Sequence, residues 1–214
     1  MTANRFMPPW PADQNYSHFI GEKGLSQKEI NTIQRWVKQG SIEGEKLKEP
    51  IWKPKDEKKR KPDMVLNLPK IELKDDYTDR FYLVNIPGEI PENKFLQSVH
   101  FAPQNSDLVH HFNGHLLLYD DTKKSKIANT KAIEIGIGAF DQDYERLDLL
   151  QDDGSIPLRV HSAVNYLPGA FGVHYPPGIG TIPLSKKFSF VGNDMHFGPS
   201  KRNTIDQSKL HLFF

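Results

Sequence analysis

The chain has 214 residues, with 28 Lys and Arg against 27 Asp and Glu, and a net charge of +1 carries no electrostatic signature of nucleic-acid binding. It has no cysteine, which excludes disulfides, zinc–thiolate sites, thioether-attached haem and iron–sulfur clusters within the chain. Any metal is therefore expected to be held by nitrogen or oxygen. Sixteen prolines, fifteen glycines and 11% aromatic residues suit a turn-rich β protein. No apolar run approaches a membrane span, and Met1-Thr-Ala-Asn-Arg-Phe6 lacks the apolar core of a signal peptide. On these residues alone the chain reads as soluble and unexported, with room for one full domain and a smaller piece.

Residues 1–44 end in one clear helix. Ser26 with Glu29 three positions on forms a capping box, and Leu25 with Ile30 forms a hydrophobic staple. Ile30, Ile33, Trp36 and Val37 recur at helical spacing, and Gly40 falls where a C-terminal cap belongs. The stripe needs a surface to dock on, because a helix of this length is marginal alone. Residues 45–62, charged and punctuated by Pro50, Pro54 and Pro62, read as a linker. The basic run Lys58–Lys61, diluted by Asp56 and Glu57, belongs to that solvated linker rather than to a nucleic-acid patch.

From Asp63 onward the pattern is β. Candidate strands are Met64–Leu68, Arg80–Val84, Lys94–Phe101, His115–Tyr119, Lys131–Ile137, Leu158–Tyr166, Lys187–Val191 and Lys209–Phe214. Turn signals separate them at Pro87-Gly88, Asn113-Gly114, Asp153-Gly154, Pro168-Gly169 and Pro177-Gly178. No helical periodicity interrupts the series. The expected fold of residues 63–214 is a mainly β, antiparallel, jelly-roll-like sandwich.

Nine histidines are the chain's most pointed chemical feature. His18, His100, His161, His174 and His211 stand alone and read as structural or surface residues. His110 and His111 are adjacent, and His196 lies in Met195-His-Phe-Gly-Pro199. Imidazole is the commonest metal ligand, and three imidazoles from two segments fix a metal with one position left open. In a regular strand neighbouring side chains point to opposite faces, so His110 and His111 converge only where the strand bends or ends. Asn113-Gly114 supplies such a turn in this reading. The alternative leaves the pair straddling a strand. His115, four residues after His111, could replace His110 if the chain folds back, so both ligand sets stand at this point.

The run Phe95-Leu-Gln-Ser-Val-His-Phe-Ala-Pro-Gln-Asn-Ser-Asp-Leu-Val-His-His111 resembles the N-terminal domain of the copper type II, ascorbate-dependent monooxygenases. This is the family of peptidylglycine α-hydroxylating and dopamine β-monooxygenases. Met195-His-Phe-Gly198 is similar to the family's later His-Tyr-Gly. Tyr175-Pro-Pro-Gly-Ile-Gly180 and Pro183-Leu-Ser-Lys-Lys-Phe188 are similar to its approach to that segment. The resemblance covers roughly residues 63–214 and implies one copper held by His110, His111 and His196. It also implies ascorbate or another reductant, and an unknown small-molecule or peptide substrate reacting at a second, His-His-Met copper domain that is missing here. Two departures are the Phe112-Asn-Gly-His115 stretch after His-His, where the family runs straight into an apolar strand, and the absence of the disulfides of animal members.

The N-terminal piece resembles the last part of a bacterial c-type cytochrome domain, through Arg5-Phe-Met-Pro-Pro-Trp10, Tyr16-Ser-His-Phe19, Leu25–Ile30 and Trp36-Val-Lys-Gln-Gly40. By that resemblance Met7 is an axial haem ligand in a longer protein whose Cys-x-x-Cys-His site lies upstream. Haem c is expected only with that upstream cytochrome segment. The expectation is a fragment of a periplasmic or secreted, electron-relaying copper protein, with no nucleic-acid partner. Asp107, Asn113 and Asp194 are candidate acceptors for the outer N–H groups of the ligating rings. A three-histidine site also suits zinc hydrolysis, but the sequence offers no obvious general base for it. The rival reading is a non-catalytic β-sandwich that binds a partner, its histidines incidental.

Overall fold

The computed structural model describes residues 13, 15–18, 24–45, 60–136, 141–168, 175–176 and 181–214, with side chains omitted at 141–142. Met7, His174 and most of the predicted linker lie outside the described residues. The chain divides into two compact units, residues 1–59 and 60–214, with the division falling inside the predicted linker.

In the first unit the predicted helix is α1, Gln27–Lys38. Its capping box is formed: the Glu29 N–H donates to Ser26 Oγ at 3.3 Å, and the Ser26 N–H donates to Glu29 Oε2 at 2.7 Å. At the other end Gly40 has φ +89°, and the Gly40 and Ser41 N–H groups donate back to the Val37 and Trp36 carbonyls, each at 3.0 Å. That left-handed turn absorbs carbonyls the helix leaves unpaired. Of the apolar stripe only Ile30 is buried; Trp36 and Val37 are about half exposed.

The second unit is an antiparallel β-sandwich. Its strands are β1 (Met64–Asn67), β2 (Ile71–Leu73), β3 (Arg80–Glu89), β4 (Lys94–Leu96), β5 (Ser98–Ala102), β6 (Val109–Leu118), β7 (Lys131–Ile135), β8 (Leu158–Tyr166), β9 (Ile182–Leu184), β10 (Lys187–Phe197), β11 (Thr204–Asp206) and β12 (Lys209–Phe213). A five-stranded sheet in the order β7-β3-β10-β6-β8 is accompanied by a three-stranded sheet, β1-β12-β5. One core joins them: Val84, Phe112, Leu116, Phe190 and Met195 from the large sheet pack with Leu66, Val99, Leu210 and Leu212 from the small one. Two short ladders, β11-β2 and β4-β9, complete the pairing.

Because side chains alternate along a strand, the large sheet has a second face. Leu83, Leu117 and Val191 form a smaller core there with Tyr119, Leu147 and Leu149. Farther along β6 and β10, on that same face, lie the histidines.

Several sequence expectations change. The strands at His115 and Lys187 are the ends of much longer ones, β6 and β10, while β2, β9 and β11 are three-residue strands too short to carry a pattern. A six-residue helix, α2 (Asp141–Arg146), interrupts the β series. Most consequentially, Asn113-Gly114 is not a turn: β6 runs straight through it, with Gly114 opposite Gly192 of β10. These glycines meet a spatial need. A Cβ at Gly192 would lie 2.4 Å from the Phe112 ring and one at Gly114 2.8 Å from it, so the ring packs across the pair. Pro87-Gly88 likewise lies within β3, beyond Asn85, where the pairing with β7 stops. The proline therefore sits where only one edge is paired. Asp153-Gly154 is a turn as expected, Gly154 having φ +79°.

Candidate metal centre

Register explains how adjacent histidines share a face. His196 of β10 pairs with His111 of β6, and Phe197, the next residue on β10, pairs with Val109. His110 is thus one residue too many on β6, a β-bulge. A bulge sets two residues against one and re-aims a side chain, so strict alternation fails at this point. The convergence expected from a turn at Asn113-Gly114 comes instead from this bulge.

The result is a compact group. The ligand nitrogens of His110, His111 and His196 all lie within 4.8 Å of one another. Ring centroids are 5.3 Å apart for His110–His111, 4.7 Å for His110–His196 and 4.9 Å for His111–His196. His110 is exposed and the other two are partly buried.

The outer ring atoms identify the inner ones. His196 Nε2 sits 2.7 Å from Asp79 Oδ1. A carboxylate only accepts, so Nε2 carries the proton and Nδ1 keeps its lone pair. His111 Nδ1 faces Asp194 Oδ2 at 3.6 Å, an ion-pair distance rather than a hydrogen bond, which favours a free Nε2. These two inward nitrogens, His196 Nδ1 and His111 Nε2, lie 3.3 Å apart, within reach of a hydrogen bond whose direction depends on the tautomer. That is about the separation of two imidazole ligands on one tetrahedral ion at the usual ~2.0–2.1 Å bond length. The donor set is three nitrogens with no thiolate or carboxylate among them, so the residues fit a borderline ion such as copper or zinc.

The surroundings fix the rings. Phe81 of β3 pairs in register with His196, and their rings stack at 4.2 Å and 15°. Asp79 comes from the loop just before β3. Asp76 ties that loop down by accepting from the Thr78 N–H at 3.2 Å and by pairing with Arg80.

Among the acceptors expected from sequence, Asp194 is in place beside His111. Asp107 is not: it pairs with Arg202 at 2.9 Å. Asn113 Oδ1 is buried with no hydrogen-bond partner among the described residues. Asp79 and Phe81 were not legible in the sequence, because no local spacing relates a loop aspartate to a histidine more than a hundred residues on.

His115, the alternative ligand, lies outside the group. On β6 it faces the same way as His111 but four residues farther along, about 13 Å at strand rise. Its Nδ1 accepts the Ser162 N–H at 3.1 Å, so a neutral ring carries its proton on Nε2 and has no lone pair left for a metal. Burial, followed by the nearby His161 and Arg159, pushes its pKa down. His161 approaches this ring at 4.8 Å, edge to face, and not the three-histidine group.

Among the described residues no helix is long and apolar enough to cross a membrane. Compared with family models, with curated proteins and with solved structures, the chain matches none.

Proposed function

We propose that residues 60–214 form a mononuclear copper centre that takes up and relays electrons, as the first copper domain of a monooxygenase-like redox protein. The observation that carries this is the approach of His196 Nδ1 and His111 Nε2 to 3.3 Å, each ring backed by a carboxylate, with His110 beside them. Bound copper would supply one-electron chemistry between Cu(I) and Cu(II), both of which imidazole ligands support.

The chain's own residues do the rest. His110, His111 and His196 present neutral nitrogens, and Asp79 holds the His196 proton on the outer atom. Phe81 keeps that ring's plane, and the bulge at His110 delivers the third nitrogen. The resemblance of the His-His and His-Phe-Gly segments to copper type II monooxygenases favours copper over zinc. It also supports ascorbate or a similar reductant, a periplasmic or secreted setting, and oxygen and substrate chemistry on a second copper domain. A haem c belongs to this proposal only in a longer chain that carries an attachment site.

The test is stoichiometric. The purified chain should give a Cu(II) electron paramagnetic resonance signal with nitrogen hyperfine structure at one equivalent, and ascorbate should bleach it. No signal above that of a His196→Ala control would leave a β-sandwich with incidental histidines.

A further inference from the structure

The three imidazoles are not held alike. His196 is gripped twice, by Asp79 at 2.7 Å on Nε2 and by the Phe81 ring stacked on its face, and its side chain is only 12% exposed. His111 is held less firmly, with Asp194 at 3.6 Å and a side chain 24% exposed. His110 is exposed, and among the described residues its ring meets the other two histidines with no hydrogen bond to either of its nitrogens.

We propose that the centre is built asymmetrically, with His196 as its anchor and His110 as its exchangeable ligand, which gives up its place to an incoming donor. The inference rests on the metal-binding reading above. A ring whose tautomer and orientation are already set loses little freedom on binding a metal. A free ring must lose rotamer freedom and select a tautomer each time it binds. The bulge adds to the contrast. His196 lies in a register row, Phe81–His196–His111, paired on both sides, whereas His110 is the surplus residue of β6 and faces no partner in that ladder. Asp79 is therefore a positioning residue acting through His196, and His110 is where the coordination shell opens.

Titration of the full chain with Zn(II) and with Cu(II) tests this through affinity and spectrum rather than turnover. Replacing His196 by Ala should weaken binding on the order of 100-fold or more, and added imidazole should not restore it. His110→Ala should still take up one equivalent, about 10-fold more weakly, and millimolar imidazole should bring back the wild-type hyperfine pattern by filling the vacated position. Asp79→Asn should cost about 10- to 100-fold, and Asp79→Glu should recover most of it. Because the Asp79 side chain is half exposed, these variants keep the fold. His110→Ala as damaging as His196→Ala, imidazole rescue of both alike, or Asp79→Asn within about twofold of wild type would each overturn the asymmetry. A wild-type chain that takes up neither ion removes the metal reading itself, a result distinct from any of these.

Discussion

His111 and His115 lie on one face of one strand, four residues apart, yet the structure gives them opposite chemistry. At His111 the neighbouring carboxylate favours a proton on the outer nitrogen and leaves the inner lone pair facing His196. At His115 the lone pair is already used. Between Gly114–Val164 and Leu116–Val160 the β8 strand carries two extra residues, and Ser162 there adopts φ +50°. The Ser162 N–H turns onto His115 Nδ1. One irregularity in the sheet therefore gathers three imidazoles, and another consumes a histidine to satisfy its own backbone. What separates them is the direction of a lone pair, which residue type alone does not specify.

The largest expected effect breaks the comparison most directly. His111→Ala should weaken one-equivalent copper or zinc binding on the order of 100-fold, whereas His115→Ala should stay within about threefold of wild type by isothermal titration. Equal losses would mean that the two histidines share a site after all.

The β10 residue opposite the stretch between them is expected to answer next. Gly192→Ala drives a methyl into the Phe112 ring beneath the sheet, and denaturant unfolding should show about 1–3 kcal/mol lost. An unchanged midpoint would show that the glycine pair has some purpose other than room for the ring.

His115→Ala is then the smaller stability effect. It leaves the Ser162 N–H without its partner, but at a position water can reach, so about 0.5–1.5 kcal/mol is expected. His110→Ala, by contrast, should move stability by no more than about 0.5 kcal/mol in the absence of metal.

The smallest effect is in pH. The folded-state pKa of His115 lies below its ordinary value, so below about pH 6.5 the unfolded chain takes up a proton that the folded ring resists. The contribution is complete above that value and is lost as pH falls from it toward the folded pKa. Unfolding curves collected from about pH 8 down to about pH 5 should show this decline, and His115→Asn should flatten it. A slope that survives the substitution would assign it to another group.

Much of the scaffold was legible beforehand because its signals are local. Ser26, Glu29 and Gly40 specify the ends of α1 through contacts within four residues, and both caps form. Alternation and turn residues placed the β8 strand with its observed bounds and marked the Asp153-Gly154 turn. The same signals misled at Asn113-Gly114 and Pro87-Gly88, where the demand on the residue comes from across the sheet. A glycine beneath a neighbouring ring looks, in one dimension, like a glycine in a turn.

Sequence by itself removed thiolate from any metal site, since the chain has no cysteine, and His-His and Met-His-Phe-Gly singled out imidazole as the donor to look for. It also determined that the body would be antiparallel β, since period-two patterning is written residue by residue. Tertiary structure alone decided that His110, His111 and His196 form one group and that His115 does not. It alone brought Asp79 and Phe81 to His196 across more than a hundred residues. The physical reason is that a bulge is a property of two paired strands. Neither β6 nor β10 contains it, and it exists only in the register between them.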